Sequence, residues 1–172
     1  MDKKPKAKTK KNVVILPVKR TIKGSAKARR NAARLAAVQC VYQMQQNGMS
    51  AEQILGDYVN NRLGLEEDGQ IYVAADTDSL RSILVGVETN KAQLIEMLDK
   101  TLNEQRNLAR QEQILQSILL CGAEELFAHH DVDTALIISG YVEVAKAFYE
   151  GREPAMINAT LDSLAKVLRA TA

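Results

Sequence analysis

Residues 26–48, AKARRNAARLAAVQCVYQMQQNG, carry the side chains best suited to hold a polyanion. At about 100° per residue, Lys27, Arg30 and Arg34 fall within roughly 60° of one another on a helical wheel, and Arg29 adds a fourth cation. Arginine offers phosphate a planar fork and lysine a point charge, and polyanion affinity rises with each phosphate neutralised. Cations in the first turns of a helix oppose its macrodipole, so the cluster is poorly placed for stability alone. A solvated, charged first turn is the plainer reading of such a run. RNA contact is the sharper one.

Other chemistry-bearing residues point nowhere comparable. Cys40 and Cys121 lie alone in apolar helical patterns, as buried thiols of a reducing cytoplasm do. His129 and His130 are adjacent, with no further His, Cys or acid at ligand spacing, and read as surface residues at a helix end. No nucleophile–base pairing, phosphate-cradling glycine loop or metal spacing is present, so neither an enzyme nor a cofactor is expected.

The elements that must position the basic stretch read as helices. Three Pro, no Trp and two Phe in 172 residues suggest a core of Leu, Ile, Val and Ala. Residues 1–34 hold 13 Lys/Arg and one acid, net +12, whereas the remainder holds 10 Lys/Arg and 20 acids, net −10. A basic arm on an acidic body suits a polyanion binder. Residues 1–25 read as a disordered basic tail, interrupted by Val13–Leu16, and residues 26–172 as one folded domain. No apolar run is long enough to span a membrane, and the basic start lacks the pattern of a signal peptide.

In chain order, the first helix is expected to end at Asn47-Gly48, with Leu35, Val38 and Tyr42 as its core-facing edge. Ser50-Ala51-Glu52-Gln53 has the form of a capping box for a second helix. Residues 60–75 read as a long surface loop, and Asp76 or Asp78 as the cap of a third helix that breaks near Thr89-Asn90. A further helix follows through Leu94 to Leu102. Residues 114–121 are apolar round most of the circumference, the mark of a central helix ending near His129-His130. Asp131–Thr134 caps a helix to about Tyr149, and Pro154 opens the last one.

Five stretches, in order, resemble the NusB family (N-utilisation substance B). Ala37-Val38-Gln39-Cys40-Val41-Tyr42-Gln43 is similar to its A-V-Q-x-x-Y segment. Leu84–Asn90 resembles L-x-G-V-x-x-N, and Glu124-Glu125-Leu126 with Asp131-Val132 resembles the E-L and D-V-P pieces. Tyr141–Phe148 is similar to V-E-x-A-K-x-F, and Glu153–Asp162 to the terminal V-N-A/G-V-L-D motif.

The resemblance implies an all-α bundle of about seven helices that binds boxA-type RNA. Members do so with NusE, a small-subunit ribosomal protein, and join RNA polymerase in antitermination across ribosomal RNA operons. Relatives occur as monomers and as homodimers. In that setting Lys27, Arg29, Arg30 and Arg34 would hold phosphates. Tyr42 and the Arg152–Asn158 segment would border the RNA path, and Gln39 would be a polar contact. For Tyr42 and Asn158 a core tyrosine and a capping amide are equally open readings.

The chain departs from the family pattern at several positions. Asp133 replaces the turn proline, Leu120 an arginine of the central helix, and Gly140 an acid before Tyr141. Arg152 stands where an acid is usual, and Met156 where an aromatic would stack on bases. Gly140 is expected to cost about 1 kcal/mol against alanine inside a helix. These departures motivate an alternative: a divergent relative that binds RNA or other polyanions non-specifically.

Overall fold

The computed structural model describes residues 23–64, 66–67, 70–103 and 106–170. The expectations for the tail, including Val13–Leu16, fall almost wholly outside them. The described residues form α1 (Ala26–Asn47), α2 (Ala51–Asn61), α3 (Thr77–Thr101), α4 (Gln113–Ala128), α5 (Thr134–Lys146) and α6 (Glu153–Arg169).

Most helix ends follow from local chemistry. The Ser25 hydroxyl accepts the Ala28 N–H, and Gly48 ends α1 at φ 67° with its N–H on the Met44 carbonyl. Left-handed backbone of this kind suits glycine, which has no Cβ to clash. Ser50 and Gln53 close a reciprocal capping box on α2. The Asp76 carboxylate accepts the Ser79 N–H at 2.9 Å, and Asp133 accepts the Ala135 N–H at 2.7 Å. The aspartate at the family's proline position therefore starts α5 by capping it. Pro154 sits in the first turn of α6, where no N–H is needed.

Two expectations fail. Thr89-Asn90 does not break a helix, and α3 runs unbroken for 25 residues. The Asn90 amide is instead engaged across the bundle with Glu124. Two expected helices become one, so the described residues hold six α-helices and a short 3-10 turn at Leu108–Arg110. The loop after α2 also contains a two-residue antiparallel ladder, β1 (Glu66–Glu67) with β2 (Gln70–Ile71).

Helix α4 is the centre, as its all-round apolar pattern requires, and packs on α1, α3, α5 and α6. Leu115, Ile118, Leu119, Leu120, Ala123 and Leu126 are all buried in it. At one end Arg34 meets Glu125, and at the other Gln45 and Gln46 reach Ser117 and Gln113, so α1 runs antiparallel to α4. Helix α6 runs parallel to α4. The Tyr149 hydroxyl, just before α6, donates to Glu112, and Arg169 donates to the carbonyls of His129 and Val132 at the far end.

Close approach to α4 uses two glycines. A Cβ on Gly86 would lie 2.0 Å from a Glu124 carboxylate oxygen, whose other oxygen accepts from Asn90 at 3.1 Å. Gly86 and Asn90, one turn apart on α3, thus cradle one acid of α4. A Cβ on Gly122 would lie 2.7 Å from Leu161, which lets α6 seat against α4.

Candidate nucleic-acid interface

The four cations of α1 divide by their depth along the helix. Lys27 and Arg30 are exposed and Arg29 is half-buried, whereas Arg34 is only 5% exposed. At the first turns α1 has solvent around much of its surface. By Arg34 it is enclosed by α4 and α5.

Arg34 is therefore placed differently from the other expected phosphate contacts. Its Nε and Nη2 donate to the two oxygens of Glu125, each at 2.9 Å, and Nη1 donates to Asn31 at 2.9 Å. The guanidinium carbon also lies 5.9 Å from the centre of the Tyr141 ring. Burial works against the Arg34 charge, but the hydrogen bonds and charge of Glu125 outweigh it and raise the pKa above the ordinary arginine value. Burial, and then the charge of Glu125, push the Tyr141 phenol well up. Such a fork is committed to the fold: freeing it for phosphate would leave Glu125 buried and unpaired.

The sequence reading missed Glu125. The available signal was an adjacent pair of acids in an otherwise apolar helix, since buried carboxylates need partners. Gly140, where the resemblance leads one to expect an acid, faces the same guanidinium: a Cβ there would lie 2.8 Å from both Arg34 Cδ and Nη1. Leu120, at the family's arginine position, is buried and helps line a groove with Val41, Met44 and Val87. The two departures answer to different neighbours.

The exposed cations edge a groove of about 320 Å³ between α1 and α5. Lys27, Arg30 and Asn31 form one wall, and Val132, Leu136, Ser139 and Glu143 the other. Asp76 is held close by, its N–H donating to the Arg29 carbonyl at 3.0 Å. The Ser79 N–H is the main cause of its carboxyl lying below the ordinary value, and the charges of Arg29 and Arg30 add to it.

The remaining candidates lie further along. Gln39 is exposed and Tyr42 half-buried on α1. Arg152 and Asn158 are exposed and Met156 is half-buried, all around the start of α6. Arg152 occupies the N-cap position without a side-chain capping bond, and like the α1 cations it opposes the helix dipole. The start of α6 lies at the Gln46–Gln113 end of the bundle, through Tyr149 and Glu112. Arg30 and Gln46 are separated by about 24 Å of helix at 1.5 Å per residue. The candidates thus lie at the two ends of the bundle, and a ligand touching both must be an extended one.

Comparison with known proteins identifies the family. The NusB family model matches residues 31–166. Over 141 residues the chain is 45% identical to the transcription antitermination protein NusB of Brucella ovis, covering 82% of each chain. It is 43% identical to that of Bartonella henselae, covering 82% of this chain and 89% of the relative. Among solved structures it resembles T. maritima NusB with a TM-score of 0.65 at 22% identity, covering 80% of this chain and 90% of that one. It also resembles a chain from a complex of antitermination factors NusB and NusE with dsRNA. There the TM-score is 0.67 at 14% identity, covering 81% of this chain and 97% of that one. With fold, family match and relatives in agreement, the chain belongs to the NusB family.

Proposed function

We propose that this protein is a transcription antitermination factor that binds boxA-type RNA together with NusE and joins RNA polymerase in an antitermination complex. The observation that carries the reading is the unspent cationic start of α1, on a chain 45% identical to a NusB protein. Lys27 and Arg30 have no ion-pair partner among the described salt bridges and stand where they destabilise their own helix. Phosphate would relieve that cost.

Lys27, Arg29 and Arg30 hold the RNA backbone at one end, and Arg152 adds a contact at the other. Gln39, Tyr42 and Asn158 border the path between them, while Met156 leaves that part of the path without a stacking ring. Arg34 acts from inside the fold. The protein works as a cytoplasmic binding factor and not as an enzyme.

The test compares a boxA RNA with a scrambled RNA of equal length, with and without NusE from the same organism. Tighter binding to boxA, strengthened by NusE, supports the reading. Equal affinity for both RNAs, unchanged by NusE and lost steeply with salt, overturns it in favour of non-specific polyanion binding.

A further inference from the structure

The described aromatic side chains are mostly committed: Tyr141 is buried, Tyr149 is bonded to Glu112, and Phe127 packs on the core. Tyr72 and Phe148 are the large exposed ones, and Tyr72 is the more open at 57% exposure. Its neighbour Val73 is itself 42% exposed.

The segment carrying Tyr72 is pinned to the start of α1 at two points. A Cβ on Gly24 would lie 2.7 Å from Val73 Cγ1, so the Lys23–Gly24 backbone runs directly against this segment, with Gly24 at φ 107°. Three residues on, the Asp76 N–H binds the Arg29 carbonyl. Tyr72 therefore stands one residue from the first contact and four from the second. Lys23, just before α1, and Lys27 and Arg30 in its first turns are exposed cations.

We propose that Tyr72 is a stacking platform for an unpaired RNA base at the edge of the α1 cationic cluster. This rests on the RNA-binding reading above. An exposed ring on a loop pinned to the start of a cationic helix offers what single-stranded nucleic acid needs: charge to track the backbone and a flat apolar face to take a base. The ring does not belong to the core. Lys23 joins the cluster as a phosphate contact. The base lies against Tyr72 while the adjoining phosphates face Lys27 and Arg30, which gives the arm a preference for RNA over a bare polyanion.

The experiment uses the full chain. Tyr72→Ala is expected to weaken boxA RNA binding roughly 5- to 100-fold at fixed salt, with the salt slope unchanged. Tyr72→Phe is expected to retain binding. The chain has no Trp, so Tyr72→Trp supplies a single indole. Its emission should be quenched by RNA and not by inorganic polyphosphate, which has charge but no bases.

Unchanged binding in Tyr72→Ala, with binding weakened in a Lys27→Ala/Arg30→Ala double variant, would overturn the stacking role and leave the RNA reading standing. RNA binding insensitive to all three substitutions would remove both. An indole emission in Tyr72→Trp that is already apolar without RNA, and is shifted to the red by Val14→Asp/Ile15→Asp, would assign the ring to the chain's own Val13–Leu16. That too would overturn the proposal.

Discussion

The Arg34 side chain occupies the space a Cβ at Gly140 would need: the added atom would stand 2.8 Å from Arg34 Cδ and Nη1. From helix propensity alone, Gly140→Ala should stabilise α5 by about 1 kcal/mol. The packing reverses that sign. Overfilling a close-packed site costs about 1–3 kcal/mol, and here it would also push the guanidinium off Glu125. We expect Gly140→Ala to lower the urea midpoint with little change in slope. A raised midpoint would mean that Arg34 has another place to go.

Arg34 and Glu125 form a two-pronged pair that is almost closed to water. Lysine keeps the charge at this position but cannot make the fork, so Arg34→Lys should cost about 1.5–3 kcal/mol of stability. Removing the charge altogether, as in Arg34→Ala, should cost about 3–5 kcal/mol. Denaturant unfolding of the purified variants measures both. Equal stability of Arg34→Lys and wild type would show that the fork is dispensable.

Glu124 lies over Gly86 and is 2% exposed. Burial raises its carboxyl pKa, against smaller lowering effects from the Asn90 amide and the His129 charge. A carboxyl pKa raised on folding means that the folded state binds the proton more tightly. That contribution is present below the unfolded pKa and is lost as pH rises through the folded value. Glu124→Gln should therefore be at least as stable as wild type at about pH 7 and lose ground to it towards about pH 4. Stability of the two proteins across this range settles the matter, and a constant difference would count against a strained carboxylate.

Asp76 behaves in the opposite sense. Its pKa is lowered, first by the Ser79 N–H, so its capping bond is present above the unfolded pKa and fades as pH falls through the folded value. Asp76→Ala should cost about 1 kcal/mol near neutral pH, with the deficit closing in acid, and Asp76→Asn should restore most of the cap. Thermal unfolding at several pH values reads the trend.

Four helix starts were legible because each rests on local residues: Ser50 with Gln53, Asp76 or Asp78, the Asp131–Thr134 turn, and Pro154. The ends at Gly48 and near His129 were legible for the same reason. Asn90 was misread because its amide satisfies Glu124 on another helix, a partner that local sequence cannot supply. The same limit applied to the site. Helical spacing correctly grouped Lys27, Arg30 and Arg34 on one face, but angle round a helix says nothing about depth along it. Only the packing of α4 and α5 separates the exposed cations from the buried one. Tyr72 was passed over because its loop carries no periodicity, and its position beside α1 comes from Gly24 and Arg29.

The proposed division gives phosphate to the exposed cations of α1 and the fold to its buried arginine, and the salt dependence of RNA binding tests it most directly. Each phosphate contact contributes about 0.7 to the slope of log affinity against log salt for single-stranded RNA. Lys27→Ala and Arg30→Ala are each predicted to flatten that slope by about this amount. Arg34→Lys, measured where it is folded, should leave the slope and affinity as in wild type while lowering stability. A slope flattened by Arg34→Lys but untouched by Lys27→Ala and Arg30→Ala would contradict the account.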